Sequence, residues 1–154
     1  MLPRSAWVRH YARAMPITPD HAGRTYPPTA PYPVTAGKIA EFAEALADPA
    51  PAYRAADEAI APPTFAAVVV MRAWEQLFAD PELELALHRI VHADQKFTWE
   101  RPLRAGDAVT AAVRIDQVRL RGAAEFITAS VDLRSDGEPL GTATATFLHS
   151  REAA

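Results

Sequence analysis

Cysteine is absent from the sequence, and neither positive charge nor long apolar runs are abundant. The absence of cysteine excludes disulfide bonds, thiolate zinc sites, iron–sulfur clusters and a cysteine nucleophile. With 16 Lys and Arg against 19 Asp and Glu, the net charge is -3, which argues against a general nucleic-acid-binding protein. The longest apolar run, Phe65 to Met71, is far shorter than the roughly 20 residues of a membrane-spanning helix.

The first residues also lack the apolar segment of a secretory signal, so we expect a cytoplasmic protein without membrane attachment. Eleven of the 14 prolines lie in the first 63 residues. Because proline breaks helices and lacks a ladder donor, this part is predicted to consist of short elements joined by extended chain. We predict a poorly ordered N-terminal extension at residues 1–22, with Met1 or Met15 as the natural start, and a single domain at residues 23–150.

A short helix is predicted to begin after Thr35, whose side chain can cap it, and to end near Ala47. Three apolar residues are spaced to form its buried face: Ile39, Phe42 and Leu46. A weaker helical stretch is predicted at about residues 54–59.

The strongest helix is predicted to open at Pro62-Pro63-Thr64, with Thr64 as its cap, and to run to about Phe78. Its first two turns are apolar all round, which predicts that the helix is covered on every side. Four strands follow at about residues 89–99, 108–120, 125–134 and 139–149, and the second of them alternates apolar and polar residues. Gly122 and Gly137 are predicted to form the turns between the last three strands.

Four stretches resemble the MaoC-like dehydratases, in particular their N-terminal-type hot-dog domain. They are Tyr-Pro-Pro-Thr-Ala-Pro-Tyr-Pro-Val at 26–34, Asp-Pro-Ala-Pro-Ala-Tyr at 48–53, Ile-Ala-Pro-Pro-Thr-Phe at 60–65, and the segment 92–107 from His92 to Asp107. Ser-Asp-Gly-Glu-Pro at 135–139 fits the last hairpin of the family. The resemblance implies a single α+β hot-dog fold, in which an antiparallel β-sheet wraps a long central helix. The element order read from the sequence agrees with that architecture.

The resemblance also implies reversible hydration of 2-enoyl thioesters to (3R)-3-hydroxyacyl thioesters, carried on coenzyme A or acyl carrier protein. In catalytic members, an Asp-x-Asn-Pro-x-His segment supplies the acid and the base. Backbone N–H groups at the start of the central helix polarise the thioester carbonyl. Four residues around this helix start are therefore expected to contact substrate: Pro63, Thr64, Phe65 and Val68. The resemblance implies no metal and no other cofactor.

This chain departs from the catalytic segment of the family. Asp48 matches the aspartate, whereas Ala50 replaces the asparagine and Tyr53 replaces the histidine. A tyrosine, with a pKa near 10, is poorly suited to proton transfer at neutral pH. The resemblance is therefore closest to the non-catalytic subunit of heterodimeric (3R)-hydroxyacyl-ACP dehydratases. That resemblance implies a substrate-binding subunit whose partner is a second hot-dog chain carrying the Asp/His pair.

Three alternatives remain open. The chain can be an active homodimeric dehydratase that uses Asp48 with Tyr53 or His92. It can be a thioesterase, for which Glu75 is the only carboxylate on the central helix. It can also be an acyl-binding module without chemistry.

Each candidate residue also has a purely structural interpretation. Asp48 is suited to ending a helix before proline, and His92 is a single histidine on a strand. Arg101 and Arg104 are weaker candidates for binding a phosphate of coenzyme A or of a carrier protein, because surface arginines are usually solvated.

Overall fold

Five antiparallel strands form one curled sheet, and one helix packs across its inner face. The computed structural model describes residues 16–151. The helices are α1 (Ala36–Ala45) and α2 (Ala66–Phe78); the strands are β1 (Tyr32–Pro33), β2 (Ile90–Trp99), β3 (Ala108–Arg121), β4 (Ala124–Ser135) and β5 (Glu138–Ser150). Their order in the sheet is β1-β3-β4-β5-β2. This is the predicted α+β arrangement of the hot-dog fold.

The strands form where the sequence alternates apolar and polar residues. On β3 the residues that point towards α2 are fully or almost fully buried: Val109, Ala111, Val113 and Ile115. Gly122 and Gly137 turn the two long hairpins with positive φ values of 57° and 84°, a conformation that glycine adopts without steric cost. The predicted strands and turns are therefore confirmed, with boundaries that differ by only one or two residues.

Helix α2 covers the inner face of the sheet but is not itself covered on every side. Val69, Val70, Ala73, Trp74 and Leu77 are buried against the sheet. On the opposite side, Val68 is 37% exposed and Met71 is 51% exposed. The prediction that α2 is enclosed all round is therefore wrong for the single chain, because one sheet covers only one side of a helix.

Helix α1 begins as predicted, since the Thr35 hydroxyl accepts a hydrogen bond from the Lys38 N–H at 3.3 Å. Ile39 and Ala43 form its buried face. The prediction for Leu46 is wrong, because this side chain is 50% exposed. The helix ends before it, and the following residue, Ala47, turns the chain with a φ of 54°. The weak helix predicted at 54–59 is instead two 3-10 turns, at Pro51–Arg54 and Ala56–Glu58.

The folded part of the chain begins before residue 23. Ile17 is fully buried, and its N–H donates to the Leu83 carbonyl at 3.3 Å. The predicted boundary of the extension is therefore too late, because Ile17 supplies an apolar side chain to the core. Residues 1–15 of that extension, with both candidate start methionines, lie outside the described residues. Among the described residues, no helix is long and apolar enough to span a membrane.

Candidate functional site

The start of α2 is held in place by backbone hydrogen bonds to the segment that precedes β3. The Ala61 N–H donates to the Leu103 carbonyl at 2.8 Å, and the Ala105 N–H donates to the Ala59 carbonyl at 2.9 Å. A 3-10 turn, Pro63–Phe65, then leads directly into the helix, and no side chain caps either element. Backbone N–H groups at this helix start are therefore free of side-chain acceptors.

The prediction that Thr64 caps α2 is consequently wrong. Helical winding starts at Pro63, ahead of Thr64, so Thr64 lies inside the first turn instead of before it. Its side chain is exposed beside the helix start.

An apolar cleft opens on the β2 side of the helix start. Its volume is about 170 Å³. Six residues line it: Ala61, Pro62, Pro63, Trp99, Pro102 and Leu103. No ionisable side chain is among these residues. The cleft therefore suits an alkyl or alkenyl chain better than a charged group.

Trp99 forms a fixed wall of the apolar cleft. Its ring stacks on Phe97 with a centroid distance of 6.0 Å and an angle of 17°. On its other flank lies Gly141, where an added methyl group would be 3.0 Å from the indole and would clash with the Thr98 carbonyl oxygen. Glycine at this position therefore allows the end of β2 to lie close against β5.

A second pocket, which we call the α1-side pocket, opens on the α1 side of the same helix start. Its volume is about 260 Å³. Six residues line it: Tyr32, Lys38, Glu41, Phe42, Phe65 and Val68. The Lys38 ammonium lies 4.3 Å from the centroid of the Tyr32 ring, and the Arg72 guanidinium carbon lies 4.9 Å from it.

The four predicted substrate-contact residues are therefore divided between the two sides of the helix start. Pro63 lines the apolar cleft, whereas Phe65 and Val68 line the α1-side pocket. Thr64 lies between them in the chain.

Asp48 and Tyr53 lie on the same loop, but the structure does not join their side chains. One Asp48 carboxylate oxygen accepts a hydrogen bond from the Ala50 N–H at 3.1 Å. The Arg54 guanidinium folds back onto the Asp48 carbonyl at 3.0 Å. Tyr53 is half-buried and packs against the core. Within the described residues, no hydrogen bond links these two side chains or joins either of them to a histidine.

His92 lies towards the other end of α2. Its ring contacts Phe147 at a centroid distance of 4.8 Å, and Phe147 packs on Trp74 and Phe78. Since a helix rises about 1.5 Å per residue, Trp74 is roughly 15 Å along the axis from Thr64. His92 therefore does not reach the helix start of its own chain.

The two arginine candidates differ in their surroundings. Arg101 forms a two-pronged ion pair with Asp107 at 2.9 and 2.8 Å, whereas the Arg104 side chain is exposed. Burial would raise the pKa of Asp107, but the Arg101 hydrogen bonds and the Arg104 N–H outweigh burial and hold that pKa below its usual value. The Arg101 guanidinium thus already has an anionic partner. Glu75, the candidate carboxylate of a thioesterase, is exposed in the third turn of α2.

A buried polar cluster outside the candidate site was not predicted. Glu125 is 1% exposed and His149 is 5% exposed. The His149 Nδ1 atom lies 2.6 Å from a Glu125 carboxylate oxygen, while Nε2 accepts a hydrogen bond from the Ala86 N–H at 3.1 Å. Arg151 pairs with Glu125 and donates to the Ile17 carbonyl. These contacts tie both ends of the described chain together.

Comparison with known proteins gives the family. Residues 20–143 match the model of the "FAS1-like, dehydratase domain region". The UPF0336 protein of Cutibacterium acnes is 55% identical over 138 residues, which cover 89% of this chain and 96% of that protein.

Two solved structures share the fold. One is the C-terminally truncated HadBC (3R-hydroxyacyl-ACP dehydratase) complex of Mycobacterium tuberculosis, with a TM-score of 0.73 and 24% identity over 84% of this chain and 97% of that one. The other is a MaoC-like dehydratase, with a TM-score of 0.76 and 23% identity over 86% of this chain and 43% of that one. This chain therefore belongs to the FAS1-like dehydratase-region family, has the hot-dog fold, and is a relative of the UPF0336 proteins.

Proposed function

We propose that this chain is the substrate-binding subunit of a (3R)-3-hydroxyacyl-thioester dehydratase, which also acts as a 2-enoyl-thioester hydratase. One observation carries the proposal: the start of α2 opens on an apolar cleft that no ionisable side chain lines. The arrangement suits binding of an acyl thioester. It lacks an acid and a base beside the bound chain.

The thioester carbonyl is placed at the start of α2, where uncapped N–H groups and the helix dipole stabilise developing negative charge on its oxygen. The acyl chain occupies the apolar cleft against Trp99. Dehydration then needs a base that removes the α-proton and an acid that protonates the departing β-hydroxyl, which leaves as water. In this proposal both groups belong to a second hot-dog chain.

The edge of the sheet supports assembly with such a chain. Among the described residues, β2 is hydrogen-bonded on one side only, to β5. Val91 on this edge strand is 58% exposed, and Met71 on α2 is 51% exposed. A partner that pairs with β2 would continue the sheet and cover part of this apolar surface. The likeness to a chain of the HadBC complex favours a different partner chain over a second copy.

The substrate in this proposal is a thioester of acyl carrier protein or coenzyme A, so the site of action is the cytoplasm. The first test measures hydration of crotonyl-CoA by the purified chain, followed by the absorbance of the enoyl thioester. We expect binding without turnover from the chain alone, and turnover once a hot-dog partner with an Asp/His pair is added. In that complex, Asp48→Asn in this chain should leave kcat within about twofold, whereas loss of the partner's aspartate should abolish turnover.

Two variants test directly whether the missing histidine explains the absence of turnover: Tyr53→His, and Tyr53→Phe as its control. Only the histidine variant restores a group that titrates near neutral pH at this position. Strong turnover by the unmodified chain, abolished by Asp48→Asn, would refute the proposal and identify an enzyme that is active without a different partner chain.

A further inference from the structure

The apolar cleft is closed at one end by hydrogen-bonded backbone. Burial orders its lining residues from mouth to floor, because Pro63 and Pro102 are exposed, whereas Ala61 and Leu103 are only 4% and 2% exposed. The Ala61 N–H donates to the Leu103 carbonyl at 2.8 Å, and an antiparallel bridge between residues 60 and 104 continues this contact. Backbone paired in this way cannot rotate aside as a side chain can, so the floor of the cleft has a fixed position.

The walls of the cleft are rigid as well. Trp99 is held between the Phe97 ring, on which it stacks, and the backbone of Gly141, which lies close to the indole. Pro62 and Pro63 contribute a second wall, and the ring of each proline fixes its own φ angle. The cleft therefore has a definite size before any substrate binds.

The volume of the cleft limits how many carbon atoms it can hold. An apolar cavity of about 150 Å³ takes up one molecule of benzene, which has six carbons. The cleft, at about 170 Å³, therefore has room for about six carbons. In the proposed function, the carbonyl carbon and the α-carbon of the substrate lie outside the cleft, at the start of α2. An acyl chain of about eight carbons would thus fill the cleft to its floor.

We propose that the cleft selects short acyl chains, up to about eight carbons long, and that Ala61 and Leu103 set this limit. The inference rests on the proposed function, because it takes the thioester to lie at the start of α2. Each methylene that is buried in the cleft tightens binding about fourfold. Carbons for which the cleft has no room stay in water, so they add nothing to the affinity.

The experiment measures affinity against the length of the acyl chain. Saturated thioesters from acetyl to dodecanoyl are titrated into the full chain by calorimetry, on coenzyme A and, in parallel, on acyl carrier protein. Ala61→Leu fills the cleft from its floor, and Leu103→Ala deepens it. Ala67→Leu is the matched control for the first variant, because Ala67 is exposed on α2 and lines neither the apolar cleft nor the α1-side pocket. A thermal melt of each variant confirms that it is folded, and either floor variant that folds tests the limit.

For the unmodified chain, we expect the affinity to rise about fourfold per methylene up to the octanoyl thioester and then to stay level. Ala61→Leu should weaken binding of the octanoyl thioester about sixteenfold, the equivalent of two methylenes, and leave that of the butanoyl thioester within about twofold. Leu103→Ala should move the plateau from the octanoyl towards the decanoyl thioester. Ala67→Leu should leave the whole series unchanged.

Two results would overturn the length limit and leave the proposed function standing. The first is an affinity that keeps rising as far as the dodecanoyl thioester. The second is a plateau that neither floor variant moves, or that Ala67→Leu moves as much as Ala61→Leu does. If the unmodified chain binds no acyl thioester of any length on either carrier, both proposals fail together.

Discussion

Replacing Gly141 by alanine is expected to destabilise the fold and to disturb the apolar cleft. A methyl group at this position clashes with the Thr98 carbonyl oxygen and lies 3.0 Å from the Trp99 ring. The nearest obstacle is backbone, which cannot rotate away as a side chain does, so β2 must move from β5. Overpacking of this kind costs about 1–3 kcal/mol, and 1 kcal/mol corresponds to about 2–4 °C in Tm for a chain of this size.

The same chemical change at Gly37 supplies the control. Gly37 lies in the first turn of α1, and a methyl group there meets nothing within 4 Å. Because alanine restricts the unfolded chain more than glycine and favours the helix, Gly37→Ala is expected to raise the free energy of unfolding by up to about 1 kcal/mol. Two identical substitutions should therefore change stability in opposite directions.

Urea unfolding, followed by tryptophan fluorescence and circular dichroism, measures both effects. Gly141→Ala should also weaken binding of an acyl-CoA, because Trp99 forms the wall of the cleft and would be displaced with β2. A Gly141→Ala protein as stable as the unmodified chain would refute the close approach of β2 and β5. A destabilised protein with unchanged acyl-CoA affinity would refute the role given to Trp99.

Four further substitutions test other parts of the structure. Asp107→Asn should lower Tm at pH 7, because the folded protein holds the pKa of Asp107 below its usual value. The resulting stabilisation is present above the unfolded pKa of about 4 and is lost as the pH falls further. Thermal melts at a series of pH values should therefore show the Tm of the variant and that of the unmodified chain converging in acid. Leu77→Ala should cost about 2–5 kcal/mol in urea unfolding because Leu77 is fully buried, whereas Leu46→Ala should cost well under 1 kcal/mol. Tyr26→Phe removes the 2.7 Å hydrogen bond to the carboxylate of Asp80 and should cost about 1 kcal/mol by the same assay.

The sheet could be predicted from the sequence because strand formation follows a local pattern. Each residue on β3 that alternation assigned to the core, such as Val113, is buried, and both predicted hairpin glycines have positive φ values. The enclosure of α2 could not be predicted in the same way. Apolar residues all round a helix do not show which of them the sheet covers, and the single chain leaves Val68 and Met71 open to solvent.

The candidate site was harder to predict because its parts come from distant segments. Tyr32, Lys38 and Arg72 come into contact only when α1 and β1 pack beside α2. The spacing of these residues in the sequence does not predict that contact. Trp99 lies within the segment that resembles the family, yet its role depends on Gly141, which is 42 residues later in the sequence. The prediction of Thr64 as a cap is wrong because helical winding begins at Pro63, which the sequence does not reveal.

The presence of Asp48 at the position of the family aspartate is weak evidence for catalysis in this chain. Its carboxylate accepts the Ala50 N–H, and its backbone carbonyl accepts the Arg54 guanidinium, so it stabilises the turn after α1 whether or not any chemistry occurs there. The side chain at the histidine position is the more informative one. Tyr53 packs its ring against the core and has no partner among the described residues that could orient it for proton transfer. A loop whose aspartate stabilises a turn and whose tyrosine packs against the core is compatible with the proposed subunit that only binds the substrate.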